Sequence, residues 1–161
     1  MYISGPGGVD FCVVPAPTAD LDGDGQPGIL VFDSGNPSLT GDEDKCDLNE
    51  VDVNGISGDI TFAERKDGTI LATIELDGTP DGVMHPAHIH RNNAATTGPI
   101  AVSFTPVDGT TGMSVTSVRA LDDGTAINYQ ALEIFDGYVN VHMSAADLAT
   151  IVAQGNIGIN D

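Results

Sequence analysis

Positive charge is scarce in this chain: 5 Lys and Arg stand against 24 Asp and Glu, for a formal net charge of -19. Binding to phosphate runs on Lys and Arg, so nucleic acid and anionic membrane surfaces are excluded as partners. The acidic residues are spread over many loops and read as a solvated surface, of the kind that keeps a protein hydrated in a saline habitat. Divalent cations are its natural small partners. Long apolar runs are missing too: none approaches the ~20 residues of a membrane span, which predicts a soluble chain without membrane insertion. The first residues, Met1 to Val9, are glycine-rich. They lack the basic n-region and apolar h-region of a signal peptide, as a mature exported form would.

Cysteine is nearly absent. Cys12 and Cys46 are the two present, both in the first third of the chain. Paired, they would close a loop of roughly 35 residues, worth about 3–4 kcal/mol in the loop-entropy picture. The acidic, lysine-poor composition resembles that of exported proteins, so the expected location is extracellular, cell-surface or periplasmic. A Cys12–Cys46 disulfide is expected, with two buried thiols as the alternative.

Histidine is also rare, and its placement is what the sequence offers most clearly. Of 4 histidines, three fall inside His85-Pro86-Ala87-His88-Ile89-His90. The fourth, His142, lies in Tyr138-Val139-Asn140-Val141-His142-Met143. Residues i and i+2 of a strand share a face, so His88 and His90 would point one way while Ile89 turns to the core. If the strand carrying His142 pairs nearby, a third imidazole converges on the same point. Such a set suits copper, zinc or nickel. His85 is a fourth ligand or a supporting residue, because Pro86 turns the chain between it and the others. Isolated strand histidines with no ligand remain the bland alternative.

Organisation follows composition. Residues 1–55 are rich in Gly, Pro and Asp and read as an N-terminal extension; residues 56–161 alternate regularly and read as the domain. Ile70, Ala72, Ile74 and Leu76 mark one strand face, as do Val139, Val141 and Met143, while Ile100, Val102 and Phe104 alternate with Ala101, Ser103 and Thr105. Turn signals sit at Asp67-Gly68, Asp77-Gly78, Asp108-Gly109 and Asp123-Gly124. Short strands with regular turns predict an all-β antiparallel sandwich or barrel. One or two short helices are expected: one from Tyr129 to Phe135, the other after Ser144, where Ser144 and Asp147 have capping-box spacing and Leu148, Ile151 and Val152 follow at helical spacing. In the extension, Asp20, Asp22 and Asp24 have the D-x-D-x-D-G spacing of a calcium loop, but Val31 stands where an EF-hand needs its bidentate Glu. Weak calcium binding and an acidic turn without an ion fit equally.

From about Ser57 to Gly158 the chain resembles the CHRD domain, a module common in exported bacterial and archaeal proteins. The resemblance rests on Leu76-Asp77-Gly78-Thr79-Pro80, on His85 to His90, on Pro99 to Phe104, and on Phe135 to His142 with Ser144, Asp147, Leu148 and Gly155-Asn156-Ile157-Gly158. The same pieces resemble a reduced copper/zinc superoxide dismutase. His85-x-x-His88-Ile89-His90 is similar to the strand that supplies two copper ligands there, and Val141-His142 with Asp147-Leu148 to the segment holding another. That resemblance implies a Greek-key sandwich of dismutase-like type, with His88, His90 and His142 as copper ligands and His85 as a non-ligand. It also has gaps. The histidine that bridges copper and zinc has no counterpart, both cysteines lie outside the resembling region, and no arginine follows Arg119 to guide superoxide. Arg91 and Arg119 are substitutes by position alone. The expected function is an exported copper-binding module with a binding or structural role. A copper-dependent superoxide dismutase and a subunit of an extracellular filament or matrix, a homo-oligomer built by N-terminal strand addition, are the alternatives.

Overall fold

A computed structural model describes residues 37–161 in full and, before them, the backbone of three strands: β1 (Tyr2–Ser4), β2 (Asp10–Pro15) and β3 (Ile29–Asp33). These three form a small antiparallel sheet in the order β1-β2-β3. The chain divides into two compact units, Met1–Ser38 and Leu39–Asp161. The Asp20, Asp22 and Asp24 loop lies outside the described residues.

The second unit is a single antiparallel sheet of ten strands. In chain order they are β4 (Leu39–Glu50), β5 (Ser57–Arg65), β6 (Ile70–Asp77), β7 (Met84–His85), β8 (Ala87–Arg91), β9 (Ile100–Ser103), β10 (Val107–Asp108), β11 (Met113–Val118), β12 (Asp136–Ser144) and β13 (Asp147–Gly158). Across the sheet they run β7-β10-β11-β6-β5-β4-β13-β12-β8-β9. β7 is at one edge and β8 stands beside the other, yet only Pro86 separates them in sequence. The sheet therefore has to curl on itself. Proline, with no N–H to donate, sits where one strand stops serving the first edge and starts serving the second. The result is an all-β, curled antiparallel architecture consistent with a β-sandwich.

Alternation decides which side is core. Along β6 the buried residues are Ile70, Ala72, Ile74 and Leu76, while Glu75 and Asp77 face out. β8 buries Ala87 and Ile89 and turns His88 and His90 away. Ile60, Phe62, Val107, Val139, Val141, Val152 and Ile157 complete a closely packed interior. β9 departs from the expected pattern. Ile100 is 46% exposed while Ala101 and Val102 are both buried, because the β8–β9 ladder shifts register between Ile89 and His90. Leu39–Glu50, which composition grouped with the extension, pairs with β5 and touches β13, so it is part of the main sheet.

One helix occurs among the described residues, α1 (Tyr129–Glu133), started by the Asn128 side chain accepting from the Ala131 N–H. The second expected helix, after Ser144, does not form. Ser144 pairs with Asp147 across a tight hairpin, and β13 continues through Leu148, Ile151 and Val152. The capping-box residues close that hairpin instead. Ser144 Oγ accepts from the Asp147 N–H, and the Asp147 carboxylate accepts from the N–H and hydroxyl of Thr150. Local hydrogen bonds of this kind serve a turn as readily as a helix start.

Cys46 is a free, buried thiol, which overturns the expected Cys12–Cys46 disulfide. It is 1% exposed within the core cluster. Burial, and then the Asp44 and Asp161 carboxylates, push its pKa up to about 12. Peptide mapping after thiol alkylation should find Cys46 unmodified in the native protein and modified once it is unfolded; rapid native labelling would contradict its placement. Ile60→Ala, at a position with 0% exposure, should lower unfolding stability by about 2–5 kcal/mol in denaturant titration.

Candidate metal centre

The histidine face of β8 is built by register. β8 pairs with β12 so that His90 lies opposite Tyr138 and His88 opposite Asn140. Directly opposed residues share a face, and period 2 along β12 carries that face from Tyr138 through Asn140 to His142. Beyond Val141 the β12–β13 ladder slips on both sides of His142. On the β8 side the pairing continues, with the His142 N–H donating to the Pro86 carbonyl, 2.8 Å away.

Three imidazoles meet as a result. Ring centroids are 5.1 Å apart for His88 and His142, 5.9 Å for His88 and His90, and 6.2 Å for His90 and His142. One nitrogen from each lies within 4.8 Å of the other two, within reach of a single ion. Two of the three rings are held from behind. His90 Nδ1 lies 2.9 Å from the Gly98 carbonyl and His142 Nδ1 2.8 Å from the Leu148 carbonyl. A carbonyl can only accept, so both Nδ1 atoms carry the proton and both Nε2 atoms keep a lone pair for a ligand. Histidines that bind metals are usually fixed in this way. His90 Nε2 and His88 Nδ1 are buried with no hydrogen-bond partner. Bare buried nitrogens are costly, and an ion seated among them would satisfy them.

Neighbouring residues fix the set further. Tyr138 stacks on His90 at 5.1 Å with the planes 21° apart, and its hydroxyl accepts from the Gly98 N–H. The loop carrying Gly98 is held by the Asn92 amide, which donates to the Thr97 carbonyl. Asn92 and Thr97 both take positive φ, 68° and 57°, an uncommon conformation that costs a β-branched residue most. Ser103 stands opposite His88 and binds the Asp122 carboxylate by its N–H and hydroxyl. Tyr138 alternates with His142 in sequence and was legible as a neighbour. Nothing in the sequence marks the Gly98 and Leu148 carbonyls, because any residue supplies a carbonyl.

The expected ligands thus divide. His88, His90 and His142 come together; His85 does not join them. It is fully buried and its Nδ1 lies 3.1 Å from the His142 carbonyl. Arg91 is paired with Asp123 at 3.4 Å and lies over the Phe135 ring. Arg119 lines a groove with Asp67, Thr69 and Asn128, outside the histidine group. Asp44, Cys46 and Asp161 form a second cluster of potential ligands, in which the Cys46 thiol, with no metal bound, stays protonated because its pKa is raised.

A model of the CHRD domain matches residues 14–149. The chain belongs to the CHRD-domain family. No curated protein matches it at a significant level. The match gives this CHRD domain its family and most of its extent, while the likeness to copper/zinc dismutases remains one of short motifs.

Burial, then the nearby His142 and His90, lower the His88 pKa; burial lowers that of His142, against the opposing hydrogen bond to Leu148. Lowered values keep the rings neutral, the form that binds metal. For stability, rings with folded pKa below the usual 6.5 contribute fully above that value, and their contribution is lost as pH falls below it. Denaturant midpoints of the metal-free protein should therefore drop between about pH 7 and pH 5.5. The drop should shrink in a His88→Gln/His142→Gln variant; identical slopes would contradict the assigned shifts.

Proposed function

We propose that this CHRD domain is an exported binding or structural module that holds one transition-metal ion, copper, through His88, His90 and His142. The observation that carries the reading is the convergence of three imidazoles on one sheet face, two of them with buried nitrogens that have no partner. All-nitrogen imidazole sets suit copper in both oxidation states, and copper stands above zinc and nickel in affinity for a given nitrogen site. The surroundings favour a cation. Asp122 stands close enough to His88 to act on its charge, and the chain as a whole carries -19.

A copper ion bound here would supply one-electron redox chemistry. The chain's own residues would orient it and keep its ligands neutral. Fast turnover of superoxide, an anion, needs local positive charge as well. Arg91 is already paired with Asp123, so a binding role ranks above the dismutase reading.

Titration of metal-free protein with Cu(II), followed by calorimetry and electron paramagnetic resonance, should give one tight site per chain with a nitrogen-rich signature. His142→Ala should weaken it by at least about tenfold, the scale expected for losing one metal-fixing interaction. Copper-loaded protein should dismute superoxide far below the diffusion ceiling of about 10⁸–10⁹ M⁻¹s⁻¹. Unchanged copper affinity in His142→Ala would remove the site; dismutation near the ceiling, abolished in that variant, would make the protein an enzyme.

A further inference from the structure

We infer that His85, although no ligand, holds the third ligand in place, so that all four histidines of the chain work as one unit. The inference rests on the metal-site reading above and adds a positioning residue to it. His142 sits where β12 loses step with β13, with register shifts on both sides. On the other side, in the pairing with β8, His142 stands opposite Pro86, whose carbonyl accepts but which has no N–H to return. The residue before the proline supplies the missing donor. The Pro86 carbonyl takes the His142 N–H at 2.8 Å, and His85 Nδ1 donates to the His142 carbonyl at 3.1 Å. Residues 85–90 therefore provide two ligands by their side chains and bind both peptide groups of the third.

His85 itself is 0% exposed. Since the His142 carbonyl can only accept, the proton is on Nδ1 and Nε2 is left as an acceptor. That Nε2 is buried without a partner. Gly109 closes the space around it: a Cβ there would stand 3.3 Å from Nε2 and collide with the Pro80 and Val83 carbonyls. An apolar side chain would avoid the cost of the bare nitrogen. The one thing the ring provides that an apolar side chain cannot is the Nδ1 donor to His142.

Two variants separate the donor from the ring. His85→Asn keeps a side-chain N–H near the Nδ1 position and has nothing at Nε2; His85→Gln places its amide near Nε2 and leaves the His142 carbonyl bare. With metal-free folding checked by circular dichroism, His85→Gln should lower Cu(II) affinity about 10–100-fold and alter the paramagnetic resonance spectrum. His85→Asn should restore both. A wild-type affinity and spectrum in His85→Gln, or equal loss in both variants, overturns the inference while leaving the three-ligand site standing. A wild-type chain that binds no copper overturns the site reading and this one with it. Should His85→Gln not fold, nitrogen NMR of the wild type decides. A proton on His85 Nδ1 that persists after loading with Zn(II) supports the role, and an unprotonated Nδ1 overturns it.

Discussion

Met84 to Arg91 is one stretch of chain that has to serve two places in the sheet. Before Pro86 it pairs with β10, and after Pro86 with β12 and β9. Because both ends of the strand order meet in this stretch, the sheet curls, and the core is the volume enclosed as it does so. Ile89 and Ala87 are buried for that reason, and the same alternation sends His88 and His90 outward. Placement of the His142 backbone, against Pro86 and His85, follows from the same constraint.

The outer face of this part of the sheet differs chemically from the rest of the surface. Around the three imidazoles stand uncharged groups, Tyr138, Asn140 and Ser103, with Asp122 tied to Ser103. Burial among them lowers the pKa of His88 and His142, so neutral nitrogen donors persist within a strongly acidic protein. Such a setting would attract a cation from the bulk field and offer it neutral ligands. An anionic substrate meets the opposite balance.

Open sheet edges invite pairing with other chains, and the β9 edge is covered from within. The Asp122 N–H donates to the Ala101 carbonyl, and the Asp122 carboxylate accepts from the Ser103 N–H. One short segment thus seals an edge and places a carboxylate near His88. Its neighbour Asp123 binds Arg91, an exposed pair that adds little stability by itself.

Much of the β architecture was legible because burial on one face writes a period of 2 into the sequence, as along Ile70 to Leu76. His88 and His90 were legible as a pair for the same reason. The hairpin after Ser144 was not, because the bonds that start a helix also close a turn, and only the pairing of β12 with β13 chose between them. Cysteine pairing was not legible either: composition suggested an exported chain, but whether Cys46 meets a partner depends on where the core places it. Sequence by itself determined the extreme charge, the alternation and the ligand types. The tertiary structure decided that His142 joins His88 and His90 while His85 stays behind them, since bulges and backbone hydrogen bonds arise only when distant strands pack and carry no residue signature.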